Sequence, residues 1–230
     1  MADLIFSIKT LVTIVSSALR HKALSFLGRA VRSPYMKYEQ ILAVKGILKD
    51  QKPGRCLEWG SGFSTLSFSS LLGQGGTWLS MEHDKSWAET VVQMNKDSRV
   101  KVKCVVPNHL PWSDEHGDGT YEDMKDYVEA PSAQKPFDLI LVDGRARVAC
   151  LKKAYEIMAD DGVVILHDAE RPYYQDAVRI FPFSFFLEST DGCKLWVGSK
   201  KKDVSGAFRL DRWQKIFSLA GRISRSFAFR

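Results

Sequence analysis

Between Cys56 and Thr65 the chain reads Cys-Leu-Glu-Trp-Gly-Ser-Gly-Phe-Ser-Thr, an apolar run that breaks into two glycines and then a helical pattern. Glycine has no side chain to hold a ligand away, and a helix amino end presents unpaired N–H groups. Gly60, Ser61 and Gly62 can therefore bring backbone close to an electron-rich group. Thr65 stands where the dinucleotide fingerprint has its third glycine. Glu82 follows twenty residues after Gly62, at the end of the next apolar run. A carboxylate there can accept both hydroxyls of a ribose, the task of the acidic residue in doubly wound nucleoside sites. Its pairing with the glycine turn argues against a plain surface glutamate.

A second group of reactive side chains comes later: Asp143 after one apolar run, His167 and Asp168 after the next. An imidazole that titrates near neutral pH can take a proton from a hydroxyl acceptor, and Asp143 or Asp168 can orient it or act in its place. A buried, hydrogen-bonded strand-end residue is the competing account of His167. Arg145 and Arg171 sit beside these acids, to neutralise them or to clamp an anionic substrate. Tyr174, with Tyr173, Trp112 and Tyr121, supplies aromatic surface for an acceptor pocket or for ordinary core. Cys56, Cys104, Cys150 and Cys193 are scattered singly. That pattern predicts reduced thiols in a cytoplasmic protein and no zinc site.

The elements that must position these residues alternate. Apolar runs at Arg55 to Trp59, Thr77 to Glu82, Val100 to Val106, Phe137 to Val142 and Val163 to Leu166 predict five strands. Helical spacing predicts helices over Ser64 to Leu72, over Lys85 to Asn95 with Asp84 as cap, and from Val148 to Met158, its stripe ending at Gly162. Phe181 to Leu187 and Lys194 to Gly198 flank a Thr-Asp-Gly turn and predict an antiparallel hairpin. A polar insertion from Pro107 to Pro136 holds seven acidic residues and one short helical pattern. Five βα-type units and a closing hairpin imply an α/β fold whose ligands bind at the carboxyl ends of parallel strands.

Charge divides unevenly. Residues 1–38 carry +5 and residues 209–230 another +5, so a chain of net +6 leaves its body at −4. The body is acidic, which argues against a nucleic-acid partner. The apolar stretch Leu4 to Leu19 is shorter than the roughly 20 residues a bilayer-spanning helix needs. Leu210, Trp213, Ile216, Phe217, Ala220, Ile223 and Phe227 recur at helical spacing among arginines. That pattern describes a basic amphipathic helix, suited to an anionic membrane surface, to a partner or to the domain itself. The expected division is a basic helical extension over 1–38, a catalytic domain over 39–203 and the basic amphipathic helix over 204–230.

Three motifs in order carry a family resemblance: Glu58-x-Gly60-x-Gly62, then Ser80 to Asp84, then Phe137 to Arg145. Together they resemble class I S-adenosylmethionine-dependent methyltransferases over about residues 35–199. The resemblance implies the Rossmann-like methyltransferase fold, a doubly wound and mostly parallel seven-stranded sheet with a C-terminal antiparallel hairpin. By it, Glu58 and the Gly60–Ser61–Gly62 turn hold the methionine part of the cofactor, Glu82 the ribose, and His83 or Asn108 the neighbourhood of the adenine. In catechol-type O-methyltransferases the ends of the fourth and fifth strands supply carboxylates to a divalent cation. Here Asp168 is followed by Ala169 rather than asparagine, so a metal is not favoured. The string His167 to Arg171 is also similar to plant polysaccharide O-methyltransferases acting on glucuronic acid side chains. The expected acceptor is an oxygen of a small molecule or glycan. Two rivals stay open: a nicotinamide-dependent oxidoreductase, which shares the glycine turn and ribose acid, and a non-catalytic, membrane-recruited module of the same fold.

Overall fold

The apolar runs become a seven-stranded sheet in a computed structural model that describes residues 33–189 and 192–205. The expected terminal helices lie outside the described residues apart from their inner ends. The compact unit Pro34–Phe208 contains everything that follows. Its strands are β1 (Arg55–Trp59), β2 (Thr77–Glu82), β3 (Val100–Cys104), β4 (Phe137–Val142), β5 (Met158–Leu166), β6 (Phe183–Glu188) and β7 (Lys194–Ser199). Their order across the sheet is β3-β2-β1-β4-β5-β7-β6. The first five are parallel, whereas β7 runs antiparallel to both β5 and β6. This is the expected mostly parallel sheet with a closing hairpin. Strand order reverses between β1 and β4, and the carboxyl ends of those two strands form the crevice where such sheets take ligands.

Side chains alternate faces along each strand, and the core follows that period of two. Leu57, Trp59, Ile140, Val142, Val164 and Leu166 pack on one side with Tyr127, Cys150, Leu151 and Ala154. Cys56, Leu139, Leu141, Val163 and Ile165 pack on the other with Val44, Ile47 and Leu48. Burial on both faces explains why β4 is apolar almost throughout. Truncating a fully buried member such as Leu141 would cost about 2–5 kcal/mol.

The helices are α1 (Tyr38–Gln51), α2 (Phe63–Phe68), α3 (Lys85–Met94), α4 (Lys125–Glu129), α5 (Arg147–Ile157) and α6 (Gln175–Val178). Asp84 caps α3 as expected, its carboxylate accepting from the Trp87 N–H at 2.9 Å. α2 is shorter than its pattern predicts, because the segment tightens into a 3-10 turn over Ser69–Leu71. The largest departure is at β5. The expected helix gives way to strand at Met158, and the β4–β5 register jumps from Phe137–Met158 to Leu139–Val163. Residues 159–162 lie in this irregularity, so Gly162 belongs to a strand bulge rather than to a helix end.

Candidate functional site

The turn after β1 is held from below by Glu58. This carboxylate is fully buried and accepts from Ser64 Oγ (2.6 Å), Thr65 Oγ1 (2.5 Å), Trp78 Nε1 (2.9 Å) and Ser80 Oγ (3.0 Å). Burial raises its pKa more than these four bonds lower it, and it is pushed up to about 7. Thr65 Oγ1 also accepts from the Gly62 N–H at 2.9 Å, so one hydroxyl ties the turn to its anchor. Gly60 has φ +96°, and a Cβ there would lie 2.6 Å from the Gly144 backbone. The turns after β1 and β4 therefore press together backbone on backbone. Gly62 is different. Its φ of 170° suits any residue, and a Cβ would meet nothing nearer than Trp87 at 3.8 Å.

Above these turns opens a cleft of about 580 Å³ lined by Gly60, Ser61, Gly62, Glu82, His83 and Trp87 on one side and by Asp143, Arg145, Arg147 and Arg171 on the other. Glu82 Oε2 accepts from the Ser61 N–H and Oγ, each at 2.9 Å, and Oε1 accepts from the His83 and Asp84 N–H groups at 2.8 and 3.0 Å. The His83 Nδ1 lies 2.8 Å from the same Oε1. Burial alone would raise the Glu82 pKa, but His83, the Asp84 N–H and Ser61 outweigh it and hold the carboxylate ionised below the usual range. Trp87 Nε1 donates to the Ser61 carbonyl at 2.8 Å, and Phe63 meets the Trp87 ring edge-on. Tyr35, exposed at the mouth, completes that wall.

Across the cleft, the ends of β4 and β5 bring Asp143, His167 and Asp168 together. Asp143 Oδ1 lies 2.8 Å from His167 Nδ1, and His167 Nε2 lies 3.6 Å from Asp168 Oδ1. Ligand atoms of the three fall within 4.8 Å of one another, a spacing that could hold a cation. The catechol-type metal does not fit, however, because the Arg147 guanidinium already sits 3.4 Å from Asp143 and 3.3 Å from Asp168. Arg147 is a residue that sequence reasoning missed. Its signal was its place at the start of a helix that follows Asp143 by four, among acids of the next strand. Ala146 before it and Asp168 opposite both adopt left-handed conformations, φ +50° and +53°. Non-glycine residues hold such conformations at a cost on the order of 1–3 kcal/mol each, and such strain clusters at functional sites.

Arg145 and Arg171 line the cleft as expected, but each is already engaged. Arg145 donates to the Gly117 carbonyl and covers the Trp112 ring. Arg171 donates to Tyr173 and Tyr174 hydroxyls at 3.2 Å each and reaches Asp168 at 3.4 Å. His167 and Asp168 do not line the cleft themselves but contact Asp143 and Arg147, which do, and three further predicted site residues stand apart from it. Glu58 is sealed beneath the glycine turn, where its four donors hold it. Asn108 is exposed in the insertion, its Oδ1 accepting from the Asp126 N–H at 2.9 Å. Tyr174 is fully buried, its hydroxyl at 3.4 Å from Asp118 Oδ2, so it supports Arg171 from behind. The insertion positions the site in a way its sequence did not disclose. Asp118 accepts from the Arg147 N–H at 3.1 Å and, through its carbonyl, from the Ala146 N–H at 2.6 Å, capping α5. A further cavity of about 460 Å³ is lined in part by Asp118, with Tyr121 and Tyr173 in its walls.

No protein-family model matches the chain, and no curated protein does. Solved structures match it in fold. The O-methyltransferase from Bacillus cereus in complex with SAH superposes with a TM-score of 0.54 at 15% identity, over 82% of this chain and 91% of that one. The O-methyltransferase TomG from Streptomyces achromogenes, in complex with SAM, gives 0.53 at 15% identity, over 82% and 90%. A methyltransferase from Geobacter sulfurreducens gives 0.52 at 11% identity, over 81% and 88%. The chain thus has the Rossmann-like methyltransferase fold.

Proposed function

We propose that the protein is an S-adenosylmethionine-dependent methyltransferase that transfers a methyl group to an oxygen of a small-molecule or glycan acceptor. One observation carries this reading: an ionised, buried Glu82 on the floor of an open cleft whose other wall holds Asp143, with His167 in contact with Asp143. The fold neighbours crystallised with SAH or SAM support the same cofactor. When bound, S-adenosylmethionine supplies a methyl group activated by its sulfonium.

The chain's own residues would do the rest. Glu82 accepts hydrogen bonds from ribose hydroxyls, with Ser61 as the donor they displace. Gly60 lets the turn close against Gly144, Gly62 keeps a side chain out of the cofactor's space, and His83 and Trp87 flank it. His167 takes the acceptor's proton on Nε2 while Asp143 holds Nδ1, which sets tautomer and ring orientation. Aligning two reactants in such a cleft can account for several powers of ten in rate, so little further chemistry is asked of the protein. Thr65 speaks against the dinucleotide rival. The third glycine of that fingerprint serves close helix–strand packing, whereas here a hydroxyl occupies the place and ties the turn to Glu58.

Single cysteines support a cytoplasmic location, and the +5 charge at each end supports contact with an anionic membrane surface. No helix among the described residues is long and apolar enough to cross a membrane. Calorimetric titration with S-adenosylhomocysteine and with NAD tests the central reading. S-adenosylhomocysteine should bind, and Glu82→Ala should weaken it at least about tenfold, the loss of one or two charge-assisted hydrogen bonds. Binding of NAD alone would overturn it. Screening sugars, phenols and small acids for release of S-adenosylhomocysteine then identifies the acceptor.

A further inference from the structure

We infer that Arg147 is the positioning residue of the Asp143–His167–Asp168 cluster and takes there the place of a divalent cation, so that the methyl transfer proposed above, on which this inference rests, runs without one. The argument is a count of donors. A guanidinium has five N–H groups in a fixed fork. In Arg147, Nε donates to the Gly144 carbonyl (3.0 Å), Nη1 to the His167 carbonyl (2.7 Å) and Asp168 Oδ2 (3.3 Å), and Nη2 to the Asp143 carbonyl and Oδ1 (3.3 and 3.4 Å). All five are used, four of them on the cluster itself.

The acceptors are committed as well. Asp143 Oδ1 is shared between Arg147 and His167 Nδ1, and Asp168 Oδ2 between Arg147 and Arg171. A magnesium-like ion needs near-octahedral oxygen ligands, and a manganese-like ion draws on the same hard donors. Either would have to bind beside a buried, permanently charged group that repels it and that already holds one oxygen of each carboxylate. Arg147 cannot easily swing away. It is 7% exposed, its backbone N–H is held by Asp118, and the left-handed turn at Ala146 delivers it to the cluster at the first position of α5. A planar fork also fixes the direction of both carboxylates, which a hydrated ion with exchangeable waters does less rigidly.

Electron paramagnetic resonance of the full chain titrated with Mn²⁺ tests this directly. The unaltered protein should leave Mn²⁺ free at about 1 mM, and Arg147→Lys, which keeps the charge, should do the same. Arg147→Met should gain Mn²⁺ binding by at least about tenfold, and a further Asp168→Asn change should abolish the gain. Dialysis against EDTA should leave the unaltered rate within about twofold. In Arg147→Met the kcat should fall at least about a hundredfold while affinity for S-adenosylhomocysteine stays within about threefold. Mn²⁺ bound by the unaltered protein and lost in Asp168→Asn would overturn the inference, as would an Arg147→Met protein that binds Mn²⁺ no better than its parent. Should Arg147→Met fail to fold, the unaltered protein and Arg147→Lys decide. Absence of S-adenosylhomocysteine binding would count against the methyl-transfer reading alone, since Mn²⁺ occupancy is read without cofactor.

Discussion

The imidazole of His167 bridges two carboxylates, with Nδ1 at 2.8 Å from Asp143 Oδ1 and Nε2 at 3.6 Å from Asp168 Oδ1. Burial would lower its pKa, but the bond to Asp143 and the negative charges of Asp143 and Asp168 prevail and raise it above the usual 6.5. Protonated His167 therefore stabilises the fold below pH 6.5, and that contribution is lost as pH rises through the raised value. Activity runs the opposite way, because a base must be neutral to accept a proton. The rate should climb as pH passes the His167 pKa, and Asp143→Asn should move that climb to lower pH while slowing the reaction at least about tenfold, the scale of general-base effects. Nuclear magnetic resonance titration of the ring checks the origin of the shift. A His167 that titrates below 6.5 in the unaltered protein would remove Asp143 from this role.

Glu58 sets a second pH dependence, this time in stability. Its folded pKa of about 7 lies above the ordinary 4.5, so the native state holds the proton more tightly than the unfolded chain. The stabilisation is complete below pH 4.5 and disappears as pH rises through about 7. With about 1.4 kcal/mol per unit, the whole effect is on the order of 3 kcal/mol. Glu58→Gln removes the titrating group but keeps an acceptor for Ser64 or Thr65. Urea denaturation from pH 4.5 to 7.5 should therefore show a falling midpoint in the unaltered protein and a flatter profile in the variant. Parallel profiles would show that Glu58 does not titrate in this window.

Period and punctuation carried most of the architecture into the sequence. β1, β2 and β4 end where their apolar runs end, because burial on both faces keeps most of their residues apolar. β5 was misjudged at its start because Ala159 to Gly162 form a bulge, and bulges answer to the neighbouring strand rather than to local composition. Strand-end acids were legible, since a parallel sheet sends every carboxyl end to one crevice. The difference between Glu58 and Glu82 was not. Both are glutamates at strand ends, yet only the three-dimensional surroundings reveal that one is sealed by four donors while the other meets the cleft. Arg147 escaped notice for a related reason. Its partners come from β4, β5 and the insertion, and no spacing along the chain brings those together.

The basic C-terminal pattern yields a prediction that needs no knowledge of the active site. Sedimentation with vesicles containing anionic phosphatidylserine should carry down the full chain, and removal of residues 209–230 should reduce the bound fraction several-fold, since that segment holds +5. Raising salt from 0.1 to 0.5 M should release the protein through screening. If neither form sediments with anionic vesicles, the membrane proposal for the termini falls.

The two glycines of the turn, alike in sequence, should behave oppositely when replaced by alanine. At Gly60 a methyl group would lie 2.6 Å from the Gly144 backbone in a conformation, φ +96°, that alanine rarely adopts. Neither backbone can retreat, because Gly60 N–H bonds to the Met81 carbonyl and Asp143 N–H to the Trp59 carbonyl. Gly60→Ala should destabilise the fold by several kcal/mol, the sum of a steric clash and backbone strain of about 1–3 kcal/mol. At Gly62 the same methyl has 3.8 Å of clearance from Trp87 and an extended backbone that accepts it. Gly62→Ala should therefore fold with a melting temperature within about 2 °C of its parent, yet bind S-adenosylhomocysteine at least about tenfold more weakly, because the added carbon projects into the cleft a cofactor needs. Thermal melting and calorimetry on the two variants read both halves. Intact cofactor affinity in a well-folded Gly62→Ala would show that the bound nucleoside does not lean on this turn, and would take Gly62 out of the site.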